Sequence, residues 1–525
     1  MRRSVLSTAA FGVLFLGCSR QAQVPRDSAP NVLWVVWDTV RADRLSVYGF
    51  GKPTTPFLQE WAKTSRVYVN CLSAAPYTIS SHASMFTGLL PTEHGVSNDH
   101  QRLGDHFETI AELLRRKGYQ TYLFSANPLI SQEHNFHQGF ETEEHPWDPE
   151  YRSEAARIVS RKVPPEDRST ELSNKVREGK LWIWDIKASG ELVERLVGEW
   201  LRRRDPARPF FIFVNYMEAH RPYIPPRTFR ERIMSAKQIA RSYEVDRSWA
   251  TVWSYSFGLH EYTAEELAVI ADTYDACLAE LDDLFRRLIE SLRSKGYLDN
   301  TVVILTADHG EHLGEHHLLG HEFSVYSPLL HVPLIISYPP RFQPGRDDRP
   351  VMNFDLFPTI LELAKIAPPT DVSMKARSLL APEANRVRLA EMLAPHWGAI
   401  QAVRTRFPAW DPSPWYRRLK AFHDGDHKFI WASDGRHELY DLRRGDLRLE
   451  DQVVGQPEVG HRIASALDEY LQRLDRSKVE LGVAPSLSQE QIERLESLGY
   501  AGSSRRASKT DDDARTSATS QALPP

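Results

Sequence analysis

Short, uninterrupted apolar runs recur along the first two-thirds of the chain and predict buried strands. The clearest are Asn31–Trp37, 209–216 and Thr301–Thr306, with weaker runs at 119–124 and 332–336. These runs are apolar at nearly every residue instead of alternating with polar ones. That pattern is typical of strands covered on both faces, as in a parallel sheet.

Segments with helical periodicity separate these runs. Residues 264–294 predict a long amphipathic helix that opens with the capping box Thr263-x-x-Glu266. Shorter helices are predicted at 56–63 and 106–116. Strands that alternate with helices indicate an α/β fold with a large, mostly parallel sheet.

The pattern changes after about residue 370 and predicts a smaller antiparallel α+β domain. Segments 428–432 and 437–442 flank the turn dipeptide Asp434-Gly435, and a helix is expected at about 457–473. The expected organisation is a main domain at 31–370, a small C-terminal α+β domain at 385–475 and a disordered tail at 503–525.

The N-terminus predicts a targeting segment. Arg2 and Arg3 precede a short apolar stretch that ends in Phe-Leu-Gly-Cys18, which resembles a bacterial lipobox. The prediction is a lipoprotein signal peptide at 1–17, a lipidated Cys18 and a polar tether at 18–30. The protein would then be anchored in the bacterial cell envelope, at the outer membrane. The alternative is a plain secretory signal followed by a chance cysteine.

Composition narrows the functional classes. The chain has 525 residues, 41% apolar and 26% charged, with a net charge of −5, which describes a globular protein and gives no reason to expect a nucleic-acid partner. Three cysteines exclude a disulfide framework and leave one Cys71–Cys277 bond as an option. No CxxC pair is present, which argues against a thiolate zinc site.

Polar residues follow three of the predicted strands. Asp38 follows the first, Asp308-His309 follows the strand at 301–306, and His220 lies beyond the strand at 209–216. In an open α/β sheet, ligands collect beyond the carboxyl ends of strands. A lone strand-end aspartate is more often a helix N-cap, but adjacent Asp and His side chains would converge on one crevice. Carboxylates and imidazole are ligands of divalent metals.

Four segments in order carry a resemblance to a known family. They are NVLWVVWDTVRAD, PYTISSHASMFTGLLPTEHGV, FVNYMEAHRPY and VVILTADHGEHLGEHHLLGH. Together they resemble the sulfatase branch of the alkaline-phosphatase superfamily from about residue 30 to 340, and HELYDL extends the likeness into the C-terminal domain. The resemblance implies an alkaline-phosphatase-like sandwich and an ester hydrolase of sulfate or phosphate esters, with phosphotransfer as a variant activity.

The resemblance also implies one divalent metal ion held by Asp38, Thr78, Asp308 and His309. Many sulfatases have a second aspartate directly after the first, where this chain has Thr39. That change, and histidine after the late aspartate, favour manganese or zinc, with calcium or magnesium as alternatives.

Thr78 aligns with the nucleophile of the family. Authentic sulfatases open a Cys/Ser-x-Pro/Ala-x-Arg motif there and oxidise the first residue to formylglycine, whereas this chain reads Thr-Ile-Ser-Ser-His82. Formylglycine is therefore not expected. A threonine hydroxyl is a weak nucleophile near neutral pH, but a divalent metal stabilises its deprotonated form. Thr78 would lie at the start of a helix stopped by Gly88, where the helix dipole favours an anionic ester.

Further substrate contacts are implied by the same resemblance. His220 would assist the leaving oxygen, His321 would stabilise the anionic group, and Asn98 would contact that same group. His82 replaces the usual arginine beside the substrate. It is a poorer anion clamp because histidine is charged only below its pKa.

The expected function is hydrolysis of a sulfate or phosphate ester at the cell envelope, and Thr78 favours a phosphoester or phosphonate. The substrate would be a sulfated or phosphorylated small molecule, glycan or lipid, with the membrane reached through the lipid anchor. One alternative is a true sulfatase that acts without formylglycine. Another is a catalytically inactive glycan-binding protein, which could lack tight metal altogether.

Several other polar residues carry two interpretations. Asp43 is expected to be structural and to pair with Arg41 or Arg44. Glu311 either supports the metal site or caps the next turn. His312, His316 and His317 have no spacing that marks them as ligands, and an exposed histidine-rich loop is the simpler interpretation.

Overall fold

The computed structural model describes residues 29–162, 181–369, 375–381, 386–444, 457–474, 476, 479 and 485–500. The predicted signal peptide, Cys18, most of the tether and the C-terminal tail from 503 lie outside the described residues.

The described strands and helices alternate along most of the chain. The strands, in chain order, are β1 Asn31–Trp37, β2 Arg66–Tyr68, β3 Cys71–Leu72, β4 Gln120–Ser125, β5 Thr142–Glu144, β6 Phe210–Tyr216, β7 Thr301–Thr306, β8 His312–Leu313, β9 Leu319–Gly320, β10 Leu334–Ser337, β11 Gly345–Asp347, β12 Val351–Met352, β13 Arg388–Met392, β14 Leu419–Asp424, β15 His427–Ala432 and β16 Glu438–Asp441. The helices are α1 Pro56–Trp61, α2 Thr78–Thr87, α3 Pro91–His94, α4 Ile110–Arg116, α5 Arg152–Lys162, α6 Ser189–Arg203, α7 Arg227–Ile233, α8 Ala236–Ser242, α9 Trp249–Ser256, α10 Ala264–Ser294, α11 Ser327–Leu330, α12 Leu356–Leu363, α13 Trp397–Arg406, α14 Pro457–Gln472 and α15 Gln489–Ser497.

An eight-stranded sheet forms the centre of the molecule, in the order β11-β2-β10-β7-β1-β6-β4-β5. The five strands from β7 to β5 run parallel, and β10 is antiparallel to both of its neighbours. Trp34 in β1 pairs with Phe213 in β6 and Ile304 in β7, and all three side chains are buried. The mostly parallel sheet confirms the predicted α/β class.

The strongest sequence patterns match the elements closely. β1, β7 and α10 have the predicted bounds, and the Thr263 side chain accepts from the Glu266 amide as its capping box requires. The helix expected at 106–116 begins only at Ile110, because Thr109 and Glu112 form a capping box that starts it there. The strand expected at 332–336 is β10, which starts at Leu334.

A separate antiparallel sheet, β13-β14-β15-β16, follows the main sheet. β15 and β16 form the predicted hairpin, with Phe429 opposite Leu439. Ile463 and Leu467 of α14 pack in one apolar cluster with Phe429. The predicted small α+β unit is confirmed as a fold, and its proposed boundaries at 385 and 475 stay a prediction.

Two further expectations concern cysteine pairing and membrane crossing. Cys71 and Cys277 are both buried and free, so the Cys71–Cys277 bond left open by the sequence is wrong. Cys71 lies in β3 and Cys277 in α10. Within the described ranges, no helix is long and apolar enough to cross a membrane.

Candidate metal and ester-binding site

Four adjacent parallel strands bring polar side chains to one edge of the large sheet. Asp308 follows β7 and Asp38 follows β1. Beyond the ends of the next two strands lie His220, after β6, and Asn127, after β4. Because parallel strands present their carboxyl ends at the same edge, residues distant in sequence meet there.

Asp38, Asp308 and His309 form a compact group with metal-binding chemistry. Each offers one ligand atom, and these atoms lie within 4.8 Å of one another. All three side chains are fully buried. Two carboxylates and an imidazole form a ligand set suited to a divalent cation.

Each of the two carboxylates in this group has one oxygen without a hydrogen-bond partner among the described residues. These oxygens are Asp38 Oδ1 and Asp308 Oδ2, and both are buried. Burial, with the Asp308 charge nearby, raises the pKa of Asp38 to about 8. Burial also raises the pKa of Asp308 to about 7. Two close buried carboxylates with free oxygens are costly unless a cation neutralises them, so the residues present fit a bound divalent metal.

Thr78 adjoins this group through His309. Thr78 is the first residue of α2, and its Oγ1 lies 3.2 Å from His309 Nε2. His309 Nδ1 lies 2.9 Å from the Gly310 carbonyl. Because a carbonyl only accepts, Nδ1 carries the proton and Nε2 is free to accept from the Thr78 hydroxyl or to bind a metal.

Helix α2 is held against the end of β7 by a small polar network. All ten residues of α2 are buried. Ser81 donates to the Asp308 carbonyl at 2.7 Å, and Asn353 donates to Ser81 Oγ at 3.1 Å. Gly88 ends the helix with φ +71°, as its sequence predicts. These contacts fix the distance between the Thr78 hydroxyl and the strand-end ligands.

Thr39 does not extend the ligand set. Its hydroxyl donates to the Asp38 carbonyl at 2.7 Å, while its amide donates to Asp308 Oδ1 at 3.2 Å. The residue has φ +60°, a left-handed conformation that is costly for a β-branched side chain. Tyr274 of α10 supports this turn by donating to the Thr39 carbonyl at 2.8 Å. At this turn a backbone amide, and not a second carboxylate, faces the candidate metal ligands Asp38, Asp308 and His309.

His220 and His321 lie on the same side of the site. Their ring centroids are 5.3 Å apart, and the His321 ring lies 4.6 Å from that of His309. His220 donates from Nδ1 to the Arg221 carbonyl at 2.7 Å, which leaves its Nε2 as an acceptor. Burial, with His321 nearby, lowers the pKa of His220 well below its usual range.

Glu311 supports His321 instead of capping a turn with its side chain. Its Oε1 lies 3.2 Å from His321 Nδ1, and both side chains are buried. This contact orients the ring and leaves His321 Nε2 free. The contact is with His321 and not with Asp38, Asp308 or His309, so support of the metal by Glu311 stays a prediction.

His82 and Asn98, the two other residues predicted to contact the substrate, have different surroundings. His82 donates from Nδ1 to the Thr78 carbonyl at 2.9 Å, and its ring meets Phe86 and Phe213 edge-on. Burial lowers the pKa of His82 to about 3, so the ring is neutral. Asn98 is half-buried beside Tyr77. Contact of His82 and Asn98 with the substrate stays a prediction.

The other ambiguous residues differ in their surroundings. Asp43 pairs with Arg41 at 2.7 Å, as expected. His312 is buried and bonds Ser324 at 2.7 Å, so an exposed loop is the wrong description for that residue. His317 is exposed.

Three site residues were missed by sequence reasoning. Asn127 donates to Asp38 Oδ2 at 2.8 Å and lies 3.5 Å from Thr78 Oγ1. Asn215, the penultimate residue of β6, also contacts Asp38 Oδ2, at 3.4 Å. Tyr500 places its hydroxyl 3.3 Å from Thr78 Oγ1. The polar ends of β4 and β6 could have signalled the two asparagines, by the same argument that selected Asp38.

A buried lysine holds the loop that carries His220. Lys187 is fully buried, and its Nζ donates to the carbonyls of Met217, at 2.6 Å, and His220. Burial lowers the pKa of Lys187 to about 8. The ammonium group thus donates hydrogen bonds to buried carbonyls that would otherwise lack a donor. These bonds fix the loop beyond β6.

We expect Lys187→Met to lower the free energy of unfolding by about 2–5 kcal/mol, because at least two buried carbonyls lose their donor. Turnover should also fall because His220 loses its support. Urea unfolding measures the stability change, with exposed Lys117→Met expected to stay within about 0.5 kcal/mol of the parent. A Lys187→Met protein with an unchanged urea midpoint would contradict this role.

Comparison with known proteins agrees with the geometry of the site. The family model described as "Sulfatase" matches residues 30–366, and the C-terminal model of N-sulphoglucosamine sulphohydrolase matches 314–477. The chain is 27% identical over 474 residues to the sulfatase YidJ of Escherichia coli (strain K12), covering 85% of this chain and 88% of that protein. It is 24% identical over 439 residues to the choline-sulfatase of Rhizobium meliloti (strain 1021), covering 80% and 81%.

A solved structure shows the same fold. The phosphonate monoester hydrolase of Agrobacterium radiobacter superposes with a TM-score of 0.62 at 21% identity, covering 86% of this chain and 97% of that one. The family match and this fold together show an ester hydrolase, with a group of side chains that could hold a metal at the carboxyl edge of its sheet. The chain belongs to the sulfatase family, whose members are metal-dependent.

Proposed function

We propose that this protein is a metal-dependent hydrolase of sulfate or phosphate esters that uses Thr78 as its nucleophile. The observation that carries the proposal is the position of the Thr78 hydroxyl. It lies at the N-terminus of α2, 3.2 Å from His309 Nε2 and beside the free oxygens of Asp38 and Asp308. A nucleophile, an anion-attracting helix end and a cation site therefore meet at one point.

Asp38, Asp308 and His309 would hold one divalent ion, with Thr78 as a further ligand. When bound, the ion supplies positive charge that favours the deprotonated threonine hydroxyl and the anionic ester. Manganese and zinc are favoured because the set contains imidazole, and because Thr39 turns its hydroxyl away.

The protein's own groups orient the reaction. Without the ion, His309 Nε2 accepts from the Thr78 hydroxyl at 3.2 Å. The same nitrogen would bind the ion, which would then hold the deprotonated Thr78 oxygen in its place. Asn127 holds Asp38 Oδ2 at 2.8 Å, leaving Oδ1 for the cation. The Thr78 oxygen attacks sulfur or phosphorus in line, and the ester oxygen leaves on the far side. Water then releases the transferred group from Thr78.

The histidines supply the remaining contacts. His220 Nε2 is an acceptor because its Nδ1 is committed to a backbone carbonyl. It would take the proton released by the Thr78 hydroxyl and pass it to the leaving oxygen. It would then take a proton from the attacking water and return it to Thr78. His321, held by Glu311, presents Nε2 toward the anionic group.

The substrate class follows from the chemistry and from the relatives together. The choline-sulfatase relative supports a sulfated small molecule. The threonine nucleophile favours phosphate or phosphonate esters, because formylglycine chemistry is absent from this sequence. The N-terminal lipobox adds the proposal that the enzyme works at the cell envelope, attached through Cys18.

Turnover of three aryl esters tests the proposal. An aryl sulfate, an aryl phosphate monoester and an aryl phosphodiester are offered side by side to purified protein after chelation, with manganese or zinc restored. We expect metal-dependent cleavage that is fastest with one of the phosphoesters. Cleavage led by the sulfate would show a sulfatase that acts without formylglycine. Lack of metal binding together with lack of turnover would favour a binding protein of the same fold.

A further inference from the structure

A C-terminal segment, residues 485–500, reaches the ester-binding site. Its helix α15 opens with Ser488, whose side chain accepts from the Gln491 amide in a capping box. The chain then turns through Gly499, at φ +82°, and reaches Tyr500. The Tyr500 amide donates to the Leu495 carbonyl at 2.9 Å, which fixes the turn.

This segment is packed as a permanent part of the main domain. Leu495 and Leu498 are buried in the main apolar core. Arg494, whose side chain is 3% exposed, pairs at 3.2 Å with Asp185, whose side chain is 1% exposed. Withdrawing the segment would expose Leu495 and Leu498 to water, so apolar burial favours the docked position. A segment held in this way supplies a residue to the site and is poorly suited to act as a displaceable plug.

Trp249 of α9 secures the turn itself. Its indole N–H donates to the Ser497 carbonyl at 3.0 Å. A Cβ added to Gly499 would lie 2.8 Å from the Trp249 ring, so only glycine permits this close approach. The backbone before Tyr500 is therefore fixed by its contacts with Trp249.

The Tyr500 hydroxyl lies among three groups of the site. It is 3.3 Å from Thr78 Oγ1, 3.0 Å from Asn127 Nδ2 and 3.0 Å from His220 Nε2. Asn127 Nδ2 only donates, and His220 Nε2 accepts because Nδ1 faces a carbonyl. The phenol therefore accepts from the amide and donates its own hydrogen to either Thr78 Oγ1 or His220 Nε2.

The phenol oxygen lies between the nucleophile and the histidine that serves the leaving oxygen, so a group carried by Thr78 would lie within its reach. We propose that Tyr500 is a catalytic residue whose phenol donates a hydrogen bond to an oxygen of the transferred sulfuryl or phosphoryl group. An ester oxygen that enters takes the place of one of the phenol's present acceptors. The C-terminal segment thereby completes an active site otherwise built from strand ends, and the inference rests on the function proposed above.

Tyr500→Phe tests the inference because it removes only the hydroxyl. We expect kcat/KM for the best aryl ester to fall by about 10- to 100-fold, as is typical for one hydrogen bond to a charged transition state. The loss should be similar for good and poor leaving groups, since the contact is to the transferred group. The matched control is Tyr338→Phe, whose hydroxyl bonds Asn300 beyond the opposite ends of the strands. It should leave kcat/KM unchanged.

A second readout separates this inference from the proposed function. Calorimetry with inorganic phosphate on manganese-loaded protein needs no turnover, and Tyr500→Phe should weaken phosphate binding by about tenfold. Unchanged phosphate affinity and unchanged kcat/KM in Tyr500→Phe would overturn the inference while leaving Thr78 in place. Faster turnover in Tyr500→Phe or Tyr500→Ala would instead identify an obstructing side chain. A loss that grows with leaving-group basicity would move the contact to the leaving oxygen and contradict the assignment.

Discussion

Thr78→Ala is expected to reduce turnover of the best ester by at least about 10³-fold, because it removes the attacking oxygen. The fold should survive. The Thr78 side chain makes only hydrogen bonds at the head of α2, whose packing is carried by apolar neighbours such as Ile79 and Phe86. A thermal midpoint within a few degrees of the parent protein would confirm that the loss is catalytic.

Thr78→Ser is the matched control. Serine keeps a hydroxyl at the same point and removes one methyl group, so turnover should stay well above that of the alanine variant. Ser80 and Ser81 are already committed, to the Val96 and Asp308 carbonyls. They are therefore poor substitutes for the nucleophile. Alanine-variant turnover equal to that of the parent would remove Thr78 from the mechanism.

Asp308→Asn is expected to lower the affinity for manganese or zinc by at least about 100-fold and to reduce turnover with it. Asparagine keeps an acceptor for the Thr39 and His309 amides, which both donate to Asp308 Oδ1. The variant therefore changes the charge of the ligand more than the backbone around it.

Thermal unfolding with and without metal checks this expectation independently of any substrate. Added metal should raise the midpoint of the parent protein, because an ion that binds only the folded state stabilises it. Asp308→Asn should lose most of that rise. After chelation the variant should be at least as stable as the parent, because it removes a buried carboxylate with a raised pKa.

Asp283→Asn serves as the control, since Asp283 lies on α10 and pairs with Arg286. Its metal-induced rise should equal that of the parent. An undiminished rise in Asp308→Asn would show that the metal binds elsewhere.

The main sheet was predictable because its strands are apolar at almost every residue. Thr301–Thr306 and Asn31–Trp37 match their predicted bounds, and burial on both faces explains their composition. The short strands Arg66–Tyr68 and Gly345–Asp347 have three residues each and carry no periodic signal. Their place in the sheet is decided by tertiary pairing, which local patterns do not contain.

The metal group was predictable for a related reason. Asp38 and the Asp308-His309 pair directly follow strong strands, so the topology of a parallel sheet brings them together. Asn127 follows a strand just as closely, but an asparagine after a strand is far more often part of a turn. It is recognised only once its amide is seen 2.8 Å from Asp38 Oδ2.

Tyr500 shows the limit of reading the chain locally. Its contacts with Asn127 and Thr78 join residues 373 and 422 positions apart. The sequence around it does contain a capping box at Ser488 and a glycine after the helix, which predict a short helix and a turn. Nothing in that local pattern indicates which part of the molecule the tyrosine reaches.

The most direct test of the central claim is to find the residue that carries the transferred group. The protein is mixed with metal and the best ester, and the reaction is quenched within the first turnovers. The protein is then digested, and its peptides are analysed by mass spectrometry. The account predicts one phosphoryl or sulfuryl group on Thr78, absent from Thr78→Ala. The same group found on Ser80 or Ser81, or turnover that leaves every peptide between residues 76 and 88 unmodified, would contradict a threonine nucleophile.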